Sequence, residues 1–183
     1  MVLSKLKIFT LIVFIFYTCM ASAQSKDTIY WSANKQLKWE DFKGRPDKTT
    51  NLLAMTQAGI GYNVACNNGK LYLKIYCYFN VNKSWTKETG SEELLDHEQL
   101  HFDLTELYTR KLRKRLREVI EPCGKNIKEL DKIYQGNFNE CAKAQDLYDR
   151  ESNHSLNDLM QKEWKEKIAK ELKSLEQFSS ENY

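Results

Sequence analysis

No Cys-x-x-Cys pair, internal repeat or low-complexity tract occurs in this sequence, and histidine occurs only three times. The first absence excludes the cysteine spacing of a structural zinc ribbon. The others leave one ordinary globular unit as the simplest organisation. Neither charge is in large excess, with 28 Lys and Arg facing 25 Asp and Glu. The charges are mostly interleaved, so nothing points to nucleic acid or an anionic membrane as a partner. "TRKLRKRLRE" (residues 109–118) is the exception. On a helix it reads as a solvated face, with a docking patch as the other reading.

Long hydrophobic runs are also missing, apart from one near the start. Lys5 and Lys7 precede an uncharged run over residues 8–20, and Ala21 and Ala23 follow it. That is the layout of a secretory signal peptide cleaved after Ala23. The run falls short of the ~20 residues that span a bilayer. Residues 1–23 are therefore expected to leave, and residues 24–183 to form a single exported domain, secreted or periplasmic, with no stable membrane insertion. Removal of both lysines lowers the formal charge from +3 to +1. Cys66, Cys77, Cys123 and Cys141 would remain, an even number that suits disulfides in an oxidising compartment. A two-residue turn at Asn68-Gly69 would set Cys66 opposite Leu71 and leave Cys77 far along the other strand. Cys123–Cys141 is then the expected pair, with Cys66 and Cys77 as buried thiols.

Residues 29–47 read as a short strand and a loop packing its tryptophans onto the body. Residues 52–85 have the period-2 alternation of strands in an antiparallel β-meander. Leu71, Leu73, Ile75 and Cys77 share one face, with Tyr72, Lys74 and Tyr76 on the other. From Ser91 to about Ile120 there is no Gly or Pro, and "TGSEE" offers a capping box from Thr89 to Glu92. Pro122 ends that helix. A second helical region, residues 125–150, is expected to break at "QGNFN". A final amphipathic helix covers residues 153–178, with Leu156, Met160, Trp164, Ile168, Leu172 and Leu175 near one stripe. Strands followed by helices make the fold class α+β.

"HEQLH" supplies the chemistry. His97 and His101 stand at i and i+4, so both imidazoles leave one face of the helix. Zinc takes such nitrogens at about 2.0–2.1 Å. Glu98 lies roughly 100° further round, placed to act as a base without ligating. A catalytic zinc takes a third protein ligand. The remaining histidine, His154, is one candidate, and Glu140 is a carboxylate rival. Glu106 points to the far side of its helix and drops out. Tyr148 could donate to an oxyanion or be a core tyrosine. Asp149 or Asp158 could orient an imidazole.

"LKWEDFKGRPD", "AMTQAGIGY", "HEQLHFDLTELYTRKL" and "YDRESNH", with Gln161 and Trp164 beyond, together resemble a bacterial family termed domain of unknown function 922. Its members are viewed as secreted, zincin-like, zinc-dependent proteases. The resemblance runs from Trp39 to Trp164, with Ser152 and Ser155 standing where the family has Thr and Gly. It implies a zincin-like fold, His97, His101 and His154 as Zn²⁺ ligands, and Glu98 as the catalytic base. The expectation is a zinc metallopeptidase acting on a peptide or protein substrate. The alternative is an exported interaction domain with a structural metal or none.

Overall fold

A computed structural model describes residues 27–117 and 127–179. The expected leader and Cys123 lie outside them.

Strands β3 (Ala58–Asn67) and β4 (Lys70–Asn80) form a hairpin that pairs Cys66 with Leu71. It turns through Asn68 and Gly69, at φ 51° and 75°. Positive φ at both turn residues matches the twist of the strands it joins. Leu73, Ile75, Cys77 and Phe79 alternate inward and are buried, whereas Tyr72 and Lys74 face out. The antiparallel expectation holds, but residues 52–85 are divided between two sheets and do not form one meander. β1 (Thr28–Tyr30) pairs with the far edge of β4, giving the order β1-β4-β3. That placement lets Ile29 enter one apolar cluster with Leu37, Phe42, Phe79 and Phe102. Between β1 and β3, β2 (Ala54–Met55) pairs with β5 (Trp85–Thr86) in a separate two-stranded sheet.

Helix α1 (Glu92–Arg117) crosses the inner face of the larger sheet. Ser91, not Thr89, caps it, with Oγ accepting from the Leu94 N–H at 3.0 Å. Phe102, Leu112 and Leu116 face the strands, while Leu100, Leu104 and Leu107 pack on Tyr148, Trp164 and Ile168. Each such burial contributes about 1.5–3 kcal/mol. The helix is thus sandwiched between the sheet and two later helices.

Those are α2 (Ile127–Ser152) and α3 (Asp158–Ser174). The expected break at "QGNFN" is absent. Asn137 sends its amide to α1 instead of its own backbone, donating to Tyr108 O and accepting from Arg115. α3 begins at Asp158 with Asn157 as its cap, so Leu156 lies outside the stripe and is exposed. Met160, Trp164, Ile168, Leu172 and Leu175 join the core as expected. No helix among the described residues is long and apolar enough to cross a membrane.

The basic run on α1 is only partly solvated. Arg110 and Arg113 are buried around the equally buried Glu106, at 2.9 and 3.1 Å. Arg113 also donates to Ile75 O and Phe178 O, and Arg110 to Leu172 O. Two guanidiniums with one carboxylate can be buried because backbone carbonyls take the remaining donors. Cys66 is exposed and disulfide-bonded, while Cys77 and Cys141 are buried free thiols. The expected Cys123–Cys141 pair is therefore overturned. The expectation that Cys66 is a buried thiol fails too: it shares the Leu71 face but stands at the hairpin tip, beyond the core.

Candidate metal centre

The i, i+4 spacing on α1 brings His97 Nε2 and His101 Nε2 to 3.1 Å, their rings nearly perpendicular. A second i, i+4 pair, Gln145 and Asp149 on α2, meets them face to face. Asp149 Oδ1 lies 3.2 Å from His97 Nε2 and 3.0 Å from His101 Nε2. These three atoms form the metal-competent cluster among the described residues.

The outer ring nitrogens define what the inner ones can do. His101 Nδ1 lies 2.6 Å from Gln145 Oε1, and Gln145 Nε2 donates to the carbonyl oxygen of His101 and to Thr105 Oγ1. A carbonyl only accepts, so that contact orients the amide, and Nδ1 must carry the proton. His97 Nδ1 faces Gln161 Oε1 at 3.3 Å, with Gln161 also accepting from the Tyr148 hydroxyl at 2.7 Å. Both neutral imidazoles then turn Nε2 lone pairs toward a carboxylate oxygen. Three acceptors converge with no hydrogen among them, an arrangement that calls for a cation. Donors around a four-coordinate zinc stand roughly 3.3 Å apart, given bonds of about 2.0–2.1 Å. The distances here are close to that, and two nitrogens with one oxygen suit zinc. The residues fit the metal.

Electrostatics agree. Burial alone would raise the Asp149 carboxyl, but the facing imidazoles of His101 and His97 hold it well below the usual carboxylate range. Burial pulls His101 down, yet Asp149 and the Glu98 charge leave it raised overall. Both directions favour positive charge at the centre.

His154 sits at the rim. Its Nδ1 is 3.5 Å from Asp149 Oδ1 and its side chain is 53% exposed. Asn153, His154 and Ser155 all have left-handed backbone, at φ 48°, 50° and 77°. Three such residues without glycine store strain, and here the strain holds the rim turn beside the cluster. Glu98 is buried one residue along from His97, and its Oε2 has no hydrogen-bond partner. Tyr148 stacks on His97 and meets His101 edge-on, its hydroxyl taken by Gln161. Burial pushes that phenol far up. Glu140 is paired with Arg115 at 2.7 Å and is not among the groups that form the cluster. Asp158, exposed, belongs to the first turn of α3. The sequence reading missed Gln145, named Gln161 only within the family motif, and gave Asp149 only an orienting role. The spacing of Gln145 and Asp149 was the available signal.

A cleft of about 890 Å³ opens over the cluster, reaching Glu98, His154 and the segment around β2. Thr56 Oγ1 ties that segment to α1 through Glu98 O at 3.1 Å. Leu53 O accepts from Lys87 N, so Leu53–Lys87 and Met55–Trp85 are the hydrogen-bonded pairs. Ala54 between them turns its N–H and C=O to the opposite edge.

No curated protein and no solved structure matches the chain. The model of the family described as "Bacterial protein of unknown function (DUF922)" matches residues 79–155, from the end of β4 to one residue past His154. That segment holds His97, Glu98, His101, Gln145, Asp149 and His154, and the match supports the family name that the sequence motifs suggested.

Proposed function

We propose that the chain is an exported zinc-dependent hydrolase of peptidase type. His97, His101 and Asp149 would hold the metal, with His154 beside them. The observation that carries this reading is the convergence of three lone-pair donors next to an unpartnered buried carboxylate, Glu98, in an open cleft. Three protein donors are the number typical of catalytic zinc, and a purely structural site has no use for a base. When bound, zinc would supply a Lewis acid that polarises a carbonyl and makes water acidic.

The chain's own residues supply the rest. Glu98 takes the proton of the attacking water at Oε2 and passes it to the leaving nitrogen. Gln145 and Gln161 hold the two imidazoles with Nε2 inward. Tyr148 braces both rings and orients Gln161, so the oxyanion role expected of it is not carried forward. An extended substrate adds to the outer edge of β2. β4 offers no such edge, since it lies between β1 and β3 and Arg113 occupies the Ile75 carbonyl.

Glu98→Gln is the test. Loss of at least a hundredfold in peptide hydrolysis, with zinc content unchanged, is expected. A variant that hydrolyses peptides at the parent rate would overturn the reading.

A further inference from the structure

The cleft walls speak to what it accepts. Leu52 and Leu53, just before β2, are 36% and 53% exposed, and Leu156, on the turn after α2, is 77% exposed. All three line the same cleft, reached from different parts of the chain. Exposed leucine gains nothing for the folded monomer, and several around one opening mark a surface that is buried by a ligand. The charged lining is one-sided. Glu88, Glu98 and Asp149 contribute carboxylates, and none of the cleft-lining residues is Lys or Arg, in a sequence with 28 of them. Away from the metal cluster, no described residue of the cleft offers a Lys or Arg to pair with a carboxylate, whether an Asp or Glu side chain or a C-terminus.

We propose that the cleft selects an internal stretch of polypeptide bearing a large apolar side chain, and rejects negative charge beside it, including a chain-terminal carboxylate. This rests on the peptidase reading for the substrate being a peptide, and not for its cleavage. The backbone is held at the open edge of β2, and an apolar side chain is received between Leu53 and Leu156. The acidic lining would tolerate a neighbouring Lys or Arg.

The test separates fit from chemistry. Zinc-loaded Glu98→Gln protein is titrated with rhodamine-labelled decapeptides, followed by fluorescence polarisation. One peptide has Leu-Phe at its centre and another has Asp-Asp there. A third pair ends in Leu-Phe as an amide or as a free carboxylate. At least tenfold tighter binding is expected for central Leu-Phe over Asp-Asp, and for the amide over the carboxylate. Leu53→Ser with Leu156→Ser should weaken the Leu-Phe peptide about tenfold, while exposed Val64→Ser on β3 leaves it unchanged. Leu156→Lys should recover part of the Asp-Asp binding. Equal affinities, an acidic preference, or no binding by zinc-loaded protein would overturn the proposal. Selective binding by a parent enzyme that cuts nothing would sink the hydrolase reading alone. Equal cleavage of both centres would sink the selectivity alone.

Discussion

Gln145 grips His101 at both ends: its Oε1 lies 2.6 Å from the ring Nδ1, and its Nε2 donates to the residue's own carbonyl at 3.0 Å. One side chain on α2 thereby sets the tautomer of an imidazole on α1.

Replacing Gln145 with Leu should weaken zinc binding about 10–100-fold while the helix stays folded, as loss of a partner to a metal-binding histidine does. Gln145→Glu keeps an acceptor for Nδ1 but no donor for the carbonyl, and should fall between. Competition against a chelator of known affinity measures both. Parent-like affinity in Gln145→Leu would mean that the ring is held by packing alone.

Asp149→Asn should lose more zinc than His154→Ala, because Asp149 Oδ1 touches both inner imidazole nitrogens whereas His154 is half exposed and 3.5 Å from that oxygen. Metal content per chain after dialysis, beside the rise in Tm on adding zinc, decides the order. The reverse ranking would make His154 the third donor and Asp149 its support.

The two free thiols should be inert in the folded chain. Burial pushes the Cys141 thiol up to about 11 and that of Cys77 well above its ordinary value. The reactive thiolate is then scarce at pH 8. Native iodoacetamide labelling followed by mass spectrometry should leave both unmodified, and denatured protein should take up label at both. Fast native labelling of Cys141 would show that α2 opens away from α1.

Glu106 gives a pH signature for stability. Burial raises its carboxyl, and Arg113 and Arg110 only partly oppose this, so its folded value stays above the ordinary 4.5. A carboxyl raised in the folded state contributes stability that is fully present below 4.5 and is lost as pH rises through the folded value. The Tm advantage of the parent over Glu106→Gln should therefore shrink as pH is raised from 4 toward 7. An advantage that grows over that window would mean that the guanidiniums outweigh burial.

Local pattern was enough for some of this and not for the rest. The hairpin register at Cys66–Leu71, the inward face of β4 and the His97–His101 pair all follow from periods of 2 and 3.6 within one element. Asp149 entering the cluster depends on the rotation of α2 against α1, a tertiary quantity. Asn137 looked like a helix breaker because its partner, Tyr108 O, is 29 residues away. Arg110 and Arg113 looked solvated because the carbonyls that absorb their donors belong to Ile75, Leu172 and Phe178. The pairing partner of β1 was left open because nothing in its three residues says that a strand formed about fifty residues later will take it.

The same arginines impose an order on synthesis. Arg113 sits mid-chain, yet one of its acceptors is Phe178 O and that of Arg110 is Leu172 O. A chain emerging from the ribosome carries two cations bound for the interior, whose last acceptors have not yet emerged. Chains arrested before residue 172 should stay protease-sensitive along α1, and arrest beyond residue 179 should confer resistance. Helix α1 also carries His97 and His101, so the candidate metal centre stays unassembled until residues as far as Phe178 have emerged.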